Sequence, residues 1–226
     1  MIRPINSLSD LLYDQLSSFP FHNLNLLNGT LSPIGGTCFD HALKLKELLE
    51  AKGFVAKLHE AEVCMTGEVT HRLVSVIIED RIIYLDTGSG WPTGFIIDPK
   101  SSELQHQTAG VNFQLINNAD HVLVRRFDGA RWLDMNRIFL AKQDEDTILD
   151  KFKERYKQTL PFSSELRLSW LEGESFFRIA NDTLSIFGRG VEERITLTPI
   201  EILKRVEKTL FSELIPDLSR YLERKI

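Results

Sequence analysis

The chain has 226 residues, 42% of them hydrophobic, with 27 basic against 32 acidic side chains and a net charge of −5. That length can bury a full core, as one large domain or two compact ones. The acidic balance argues against a general nucleic-acid binder, which carries a basic excess, yet leaves room for a local basic pocket that takes a small anion.

No apolar run reaches the length of a membrane span, and the start MIRPINSLSDLL lacks the basic-then-apolar layout of a signal peptide. The chain therefore reads as soluble and cytoplasmic, with no membrane or nucleic-acid partner. Its two cysteines, Cys38 and Cys64, are expected to be free thiols, since nothing else suggests secretion. The six histidines show no metal-like spacing, and there is no CxxC, HExxH or Walker sequence, so no metal and no P-loop chemistry is expected.

In chain order, SLSDLLYDQLSSF puts Leu8, Leu11, Leu12 and Leu16 on one side at helical spacing. FPFHNLNLLNG breaks that pattern at Pro20 and ends at Gly29. A second helix follows Cys38, with Phe39, Ala42, Leu43, Leu45, Leu48 and Leu49 on its apolar side and Gly53 suited to its C-terminal stop. The period then changes: FVAKLHEAEV, HRLVSVIIED and RIIYLDTG are rich in β-branched residues, with a turn at Glu79-Asp80. HVLVRRFDGARWLDM predicts a hairpin around Asp128-Gly129, and DEDTILDKFKERYKQ a short helix. ELRLSWL, SFFRIAN and TLSIFG predict further strands, the last two joined near Asn181-Asp182. A closing helix begins with Thr198 as cap, Pro199 in the first turn and Glu201 completing a capping box. The expected body has a helical part at 1–53, a β part at 54–141 and a mixed part at 142–226, packed together.

Cys38 stands out by its position. Thr37 and Asp40 fit the [ST]-x-x-[DE] capping pattern, which makes Cys38 the first helical residue. There the unsatisfied backbone N–H groups and the positive end of the helix dipole favour a thiolate and could hold an oxyanion. Gly35 and Gly36 would let a substrate approach the sulfur. The plain alternative is a small buried hydrophobe. Cys64 ends a strand-like run without such a flank and reads as structural.

A thiolate nucleophile needs an imidazole, and the imidazole needs an orienting group. His71 opens one apolar strand, and Asp86 ends the next, just before a glycine-rich turn. As hairpin neighbours the two would lie side by side. Each alone has an ordinary explanation, a surface histidine or a turn-forming aspartate. Together, in the order Cys, His, Asp and each at an element end, they point toward thiol chemistry.

These stretches resemble the arylamine N-acetyltransferase family. FPFHNLNLLNG is similar to that family's IPFENLDIL segment, IGGTCFD to its RGGxCFE nucleophile motif, THRLVSV to its tHxxLxV strand, and YLDTGSGWP to its yLvDvGfG turn. The C-terminal GESFFRIANDTLSIFGRGVEERITLTPIEILKRVEKTLF resembles the family's last strands and closing helix. The resemblance implies an α+β fold: an N-terminal helical bundle, a central antiparallel β-barrel and a C-terminal α/β lid. It also implies ping-pong acetyl transfer from acetyl-CoA to an arylamine, hydrazine or similar amine. Cys38 would carry the acyl group, His71 would activate it, and Asp86 would orient His71. By the same matching, Thr66 and Gly67 would approach the coenzyme's pantetheine arm and Ser89 would shape the acceptor pocket. Gly88 and Gly90 read as turn-makers.

The sequence departs from the family at Ile34, where an Arg is usual, and at His22, where a Glu is usual. In the family these look like a buried ion pair. Replacing both partners together can be near neutral, so the double change reads as compensated rewiring. Asp40 replaces the family's Glu after CF, and Ala42 stands where an amide is usual. Other readings stay open: a related thiol enzyme such as an amide synthase or a hydrolase, or a non-catalytic binding protein on the same scaffold. Arg189, Arg194 and Lys204 are candidates for the coenzyme phosphates, though more simply solvated charges.

Overall fold

The computed structural model describes residues 6–101, 104–153, 164–188 and 191–225. Helix α1 (Asn6–Ser18) lays Leu8, Leu11 and Leu12 into one core and Leu16 into a second, as their spacing predicts. A two-residue strand, β1 (Phe21–His22), and a short helix, α2 (Leu24–Asn28), follow. Gly29 closes α2 in the left-handed region. Helix α3 (Cys38–Ala51) buries Phe39, Ala42, Leu45 and Leu49. Full burial contributes roughly 1.5–3 kcal/mol for each large apolar side chain.

The central sheet comprises β2 (Ala56–Val63), β3 (Glu68–Ile78), β4 (Arg81–Leu85), β5 (Ile96–Ile97), β6 (Leu104–Thr108), β7 (Val111–Asn117), β8 (His121–Phe127) and β9 (Trp132–Phe139). Its order is β5-β4-β3-β2-β9-β8-β7-β6, every pairing is antiparallel, and the edges β5 and β6 leave it a curled half-barrel. The expected turn at Glu79-Asp80 is present, both residues having positive φ (49° and 60°). That is the two-residue geometry whose twist matches the flanking strands. Strands β5, β6 and β7 had no counterpart in the sequence reading.

Helix α4 (Glu145–Lys153) packs Ile148 into the first core. The rest of the helix expected there, residues 154–158, lies outside the described residues. A second sheet of β10 (Arg167–Glu172), β11 (Ser175–Ala180), β12 (Thr183–Gly188) and β13 (Val191–Thr196) takes β1 as its outer strand, in the order β1-β10-β11-β12-β13. Its faces alternate: Phe176 joins the half-barrel core, while Phe177 and Ile179 join a third core under the C-terminal helices. The expected closing helix is two, α5 (Pro199–Glu207) and α6 (Ile215–Glu223), linked by a 3₁₀ turn at Ser212–Leu214. Lys208 and Leu210 face solvent and interrupt the apolar stripe, and Pro216 starts a new first turn.

The site is positioned by one crossover. Phe21 pairs with Ser169 of β10 and bridges to Gly36, so the loop leading into α3 is fastened to the second sheet. The first core, meanwhile, presses α3 itself onto β2, β3 and β4.

Candidate active site

Thr37 is extended and caps α3; its N–H donates to the Asp40 carboxylate at 2.9 Å and its hydroxyl does so at 3.3 Å. Cys38 is therefore the first residue of the helix, as expected, and is buried except where it lines a cleft. The loop before it is held tightly. A Cβ on Gly35, whose φ is +77°, would stand 2.3 Å from the Pro20 carbonyl oxygen and 2.8 Å from the His22 ring. The space over this glycine thus belongs to the protein's own chain and not to an approaching substrate.

His22 and Ile34, the two departures, meet each other directly. The Leu24 N–H donates to its Nδ1 at 3.3 Å, so its Nε2 carries the proton and donates to the Ile34 carbonyl at 2.7 Å. Burial holds the ring neutral by pulling its pKa down. The partner of the His22 ring is thus the backbone of Ile34, whose side chain packs against the third core.

The β3–β4 hairpin register, Val74 with Leu85, brings the start of one strand to the end of the other. His71 Nε2 donates to Asp86 Oδ2 at 2.9 Å, and Asp86 Oδ1 accepts the Gly88 N–H at 2.8 Å. With both oxygens held, the carboxylate has one orientation, and Nδ1 is the ring nitrogen left for Cys38. Burial disfavours a charged His71, but the charge and hydrogen bond of Asp86, with the hydrogen bond and charge of Cys38, outweigh it and push its pKa up to about 10. The structure therefore brings Cys38, His71 and Asp86 together. The sulfur also contacts the Thr70 carbonyl oxygen at 3.7 Å.

A second buried cation adjoins them. Arg72 lies 4.6 Å from the centre of the Phe39 ring and pairs with Glu60 at 3.2 Å. Burial lowers its pKa, and the charges of Cys38 and Glu60 oppose that.

The cleft over Cys38 has a volume of about 400 Å³. Ser89 lines it, with its hydroxyl engaged by Thr93 at 2.9 Å and by the Trp91 N–H at 3.2 Å. Gly90 makes a turn with φ +71°, but Gly88 does not have a positive φ. A Cβ there would stand 2.7 Å from the Cys38 Cα, so Gly88 is needed for close approach and not for turning. Thr66 and Gly67 form the β2–β3 turn, where the N–H groups of both donate to Val63. They are outside the cleft lining, to which neighbouring Met65 and Thr70 contribute. Arg194 pairs with Glu192 on the exposed side of β13, Lys204 is exposed on α5, and Arg189 lies outside the described residues.

Among the cleft residues that sequence reasoning missed are Trp91, Arg126, Arg167 and Arg178. A signal existed for the last of these: SFFRIA carries a single charge inside an apolar strand. Among the described residues no group of three or more His, Cys, Asp and Glu side chains is placed to hold a metal ion. Nor, among them, is any helix long and apolar enough to cross a membrane.

A thiol and an imidazole lining one cleft of an α+β fold, with a buried carboxylate behind the imidazole, define a class of candidate thiol enzymes, and comparison with known proteins narrows it. A family model described as N-acetyltransferase matches residues 4–212. The chain belongs to the N-acetyltransferase family and is an acyltransferase. Its fold is that of solved arylamine N-acetyltransferases. The Mycobacterium marinum enzyme in complex with CoA superposes with a TM-score of 0.83 at 15% identity, covering 98% of this chain and 93% of that one. The Nocardia farcinica enzyme gives 0.82 at 22% identity, with 98% and 89% covered. The Mycobacterium abscessus enzyme gives 0.81 at 20%, with 98% and 88% covered. No curated protein sequence matches the chain.

Proposed function

We propose that this protein transfers an acetyl group from acetyl-CoA to a small amine, such as an arylamine or hydrazine, through an acyl intermediate on Cys38. The observation that carries the reading is the His71 imidazole, hydrogen-bonded to Asp86 on one side and influenced by Cys38 on the other, at an open cleft. The cleft volume suits a small-molecule site. The M. marinum relative was solved with CoA bound, which supports a coenzyme A thioester as donor. Two free thiols suit a reducing cytoplasm.

In the first half-reaction the Cys38 sulfur attacks the thioester carbonyl carbon. A new C–S bond forms, the bond to the coenzyme sulfur breaks, and the departing thiolate takes the proton held on His71. Acylation removes the Cys38 charge and hydrogen bond, two of the influences that hold that proton on His71. The imidazole thus becomes a readier donor when the leaving group needs one, and is left neutral. In the second half-reaction the amine nitrogen attacks the acyl carbon and gives its proton to His71. Cys38 leaves as the thiolate, and the ion pair is restored. Asp86 stays ionised and keeps the ring aligned. Ser89 lines the acceptor side.

Incubation with acetyl-CoA alone, read by intact mass, tests this. The expected result is one added acetyl group, mapped to Cys38, absent in Cys38→Ala and discharged by an arylamine. No adduct at saturating donor would overturn the proposal.

A further inference from the structure

The cleft that holds Cys38 also has a basic wall, drawn from strands far apart in the chain: Arg126 of β8, Arg167 of β10 and Arg178 of β11. Two of these guanidinium groups gather on one ring, with the Arg126 and Arg178 carbons 4.0 and 4.9 Å from the centre of Trp91. Their own partners are few. Arg167 is tied to Glu165 at 2.5 Å and to the Leu166 carbonyl. Arg126 donates to the Phe127 carbonyl at 3.1 Å. Arg178 has no hydrogen-bond or ion-pair partner among the described residues, although it is well enclosed. Burial, then the like charges of Arg167, Arg126 and Arg194, pull its pKa down to about 10, with Glu192 opposing them. Burial also lowers Arg126, against the charges of Asp128 and Glu192.

Enclosed cations crowded together are costly where no carboxylate hydrogen-bonds them directly, unless an anion completes them. Guanidinium groups present a fork of donors that fits a carboxylate or phosphate. The aromatic ring beneath holds both at once.

We infer that Arg126 and Arg178, stacked on Trp91, form an anion subsite within the cleft of Cys38 that binds a carboxylate or phosphate group of a substrate. The assignment rests on the proposed function only in naming that substrate. For the acceptor it means an amine that also bears an acidic group, as an aminobenzoate does. For the donor it means a coenzyme phosphate. A neutral arylamine leaves the subsite without its anion.

Calorimetric titration of the whole protein separates the sources without requiring turnover. The probes are benzoate, its neutral analogue benzamide, and inorganic pyrophosphate. The variants are Arg178→Gln, Arg126→Gln and, as an exposed control, Arg194→Gln. Benzoate is expected to bind at least about tenfold more tightly than benzamide, the scale of one charge-assisted hydrogen bond. Arg178→Gln and Arg126→Gln should each lose that advantage, and Arg194→Gln should keep it. Pyrophosphate showing this pattern in place of benzoate assigns the subsite to the donor. The thermal midpoint of Arg178→Gln should equal or exceed that of the wild type, because a like-charge repulsion is removed. Charged probes that bind no better than benzamide, or binding that survives both Arg178→Gln and Arg126→Gln, would overturn the subsite. Benzoate binding in a protein that never forms the acetyl adduct would sink the proposed reaction and leave the subsite standing.

Discussion

Cys38 opens a capped helix, with an imidazole and a buried guanidinium beside it, whereas Cys64 follows the last residue of a strand and is half-buried, with no imidazole partner among the described residues. The Cys64 N–H donates to Met135 at 2.9 Å, which anchors the backbone and does nothing for the sulfur. Burial pushes the Cys64 thiol up, and the nearby Arg137 only partly opposes it. Cys38 is the more buried of the two. The proposed mechanism makes Cys38 the reactive thiol, which burial alone would not select; what separates the two is the charge that the fold brings to each sulfur.

The sharpest way to break that contrast is Asp86→Asn. It keeps the shape but removes the charge that does most to oppose burial at His71. Acyl transfer should fall by about 10³- to 10⁴-fold. Cys38 alkylation by iodoacetamide at neutral pH, followed site by site by mass spectrometry, should fall toward that of Cys64. Retained fast alkylation in this variant would mean that the helix start and Arg72 suffice by themselves. Next in size is His22→Ala, which strands the Ile34 carbonyl and the Leu24 N–H in the interior. Urea unfolding should show a loss of about 2–3 kcal/mol, and Cys38 alone of the two thiols should react more slowly. An unchanged unfolding midpoint would show that the loop needs no such brace.

The gentlest test uses pH. His71 has a folded pKa of about 10, raised above its ordinary 6.5. The stability this contributes is fully present below pH 6.5 and fades as pH rises through about 10. The gap in thermal midpoint between wild type and His71→Gln should therefore be widest near pH 6 and shrink steadily toward pH 10. A gap that is constant over this window would contradict the ion pair.

Legibility followed the range of the forces involved. The Thr37–Asp40 cap and the Glu79-Asp80 turn are contacts between near neighbours, so the helix start and the hairpin that joins His71 to Asp86 could be read directly. The edge strands β6 and β13 could not. LQHQT and VEERIT are polar runs paired on one side only, and they become strands because a neighbour's ladder recruits them. Strand β1 is two residues long and has no pattern of its own; Ser169 and Leu168, far along the chain, define it. The sequence predicts one closing helix where the structure has two, because the break at Lys208–Leu210 lies within a run of otherwise suitable residues. Gly88 looked like a turn residue, since nothing local reveals that the Cys38 backbone will lie against it.

By itself, then, the sequence determined the local machinery: a sulfur at a helix start, an imidazole and a carboxylate at adjoining strand ends, and the alternation that buries the half-barrel. Only tertiary structure decided that the nucleophile loop is fastened to the second sheet, that His22 supports a backbone carbonyl, and that arginines from two strands meet over Trp91. Caps and two-residue turns are enforced over a few bonds, wherever the segment sits. Meetings between residues scores of positions apart exist only once the three cores have closed and fixed which sheet faces which.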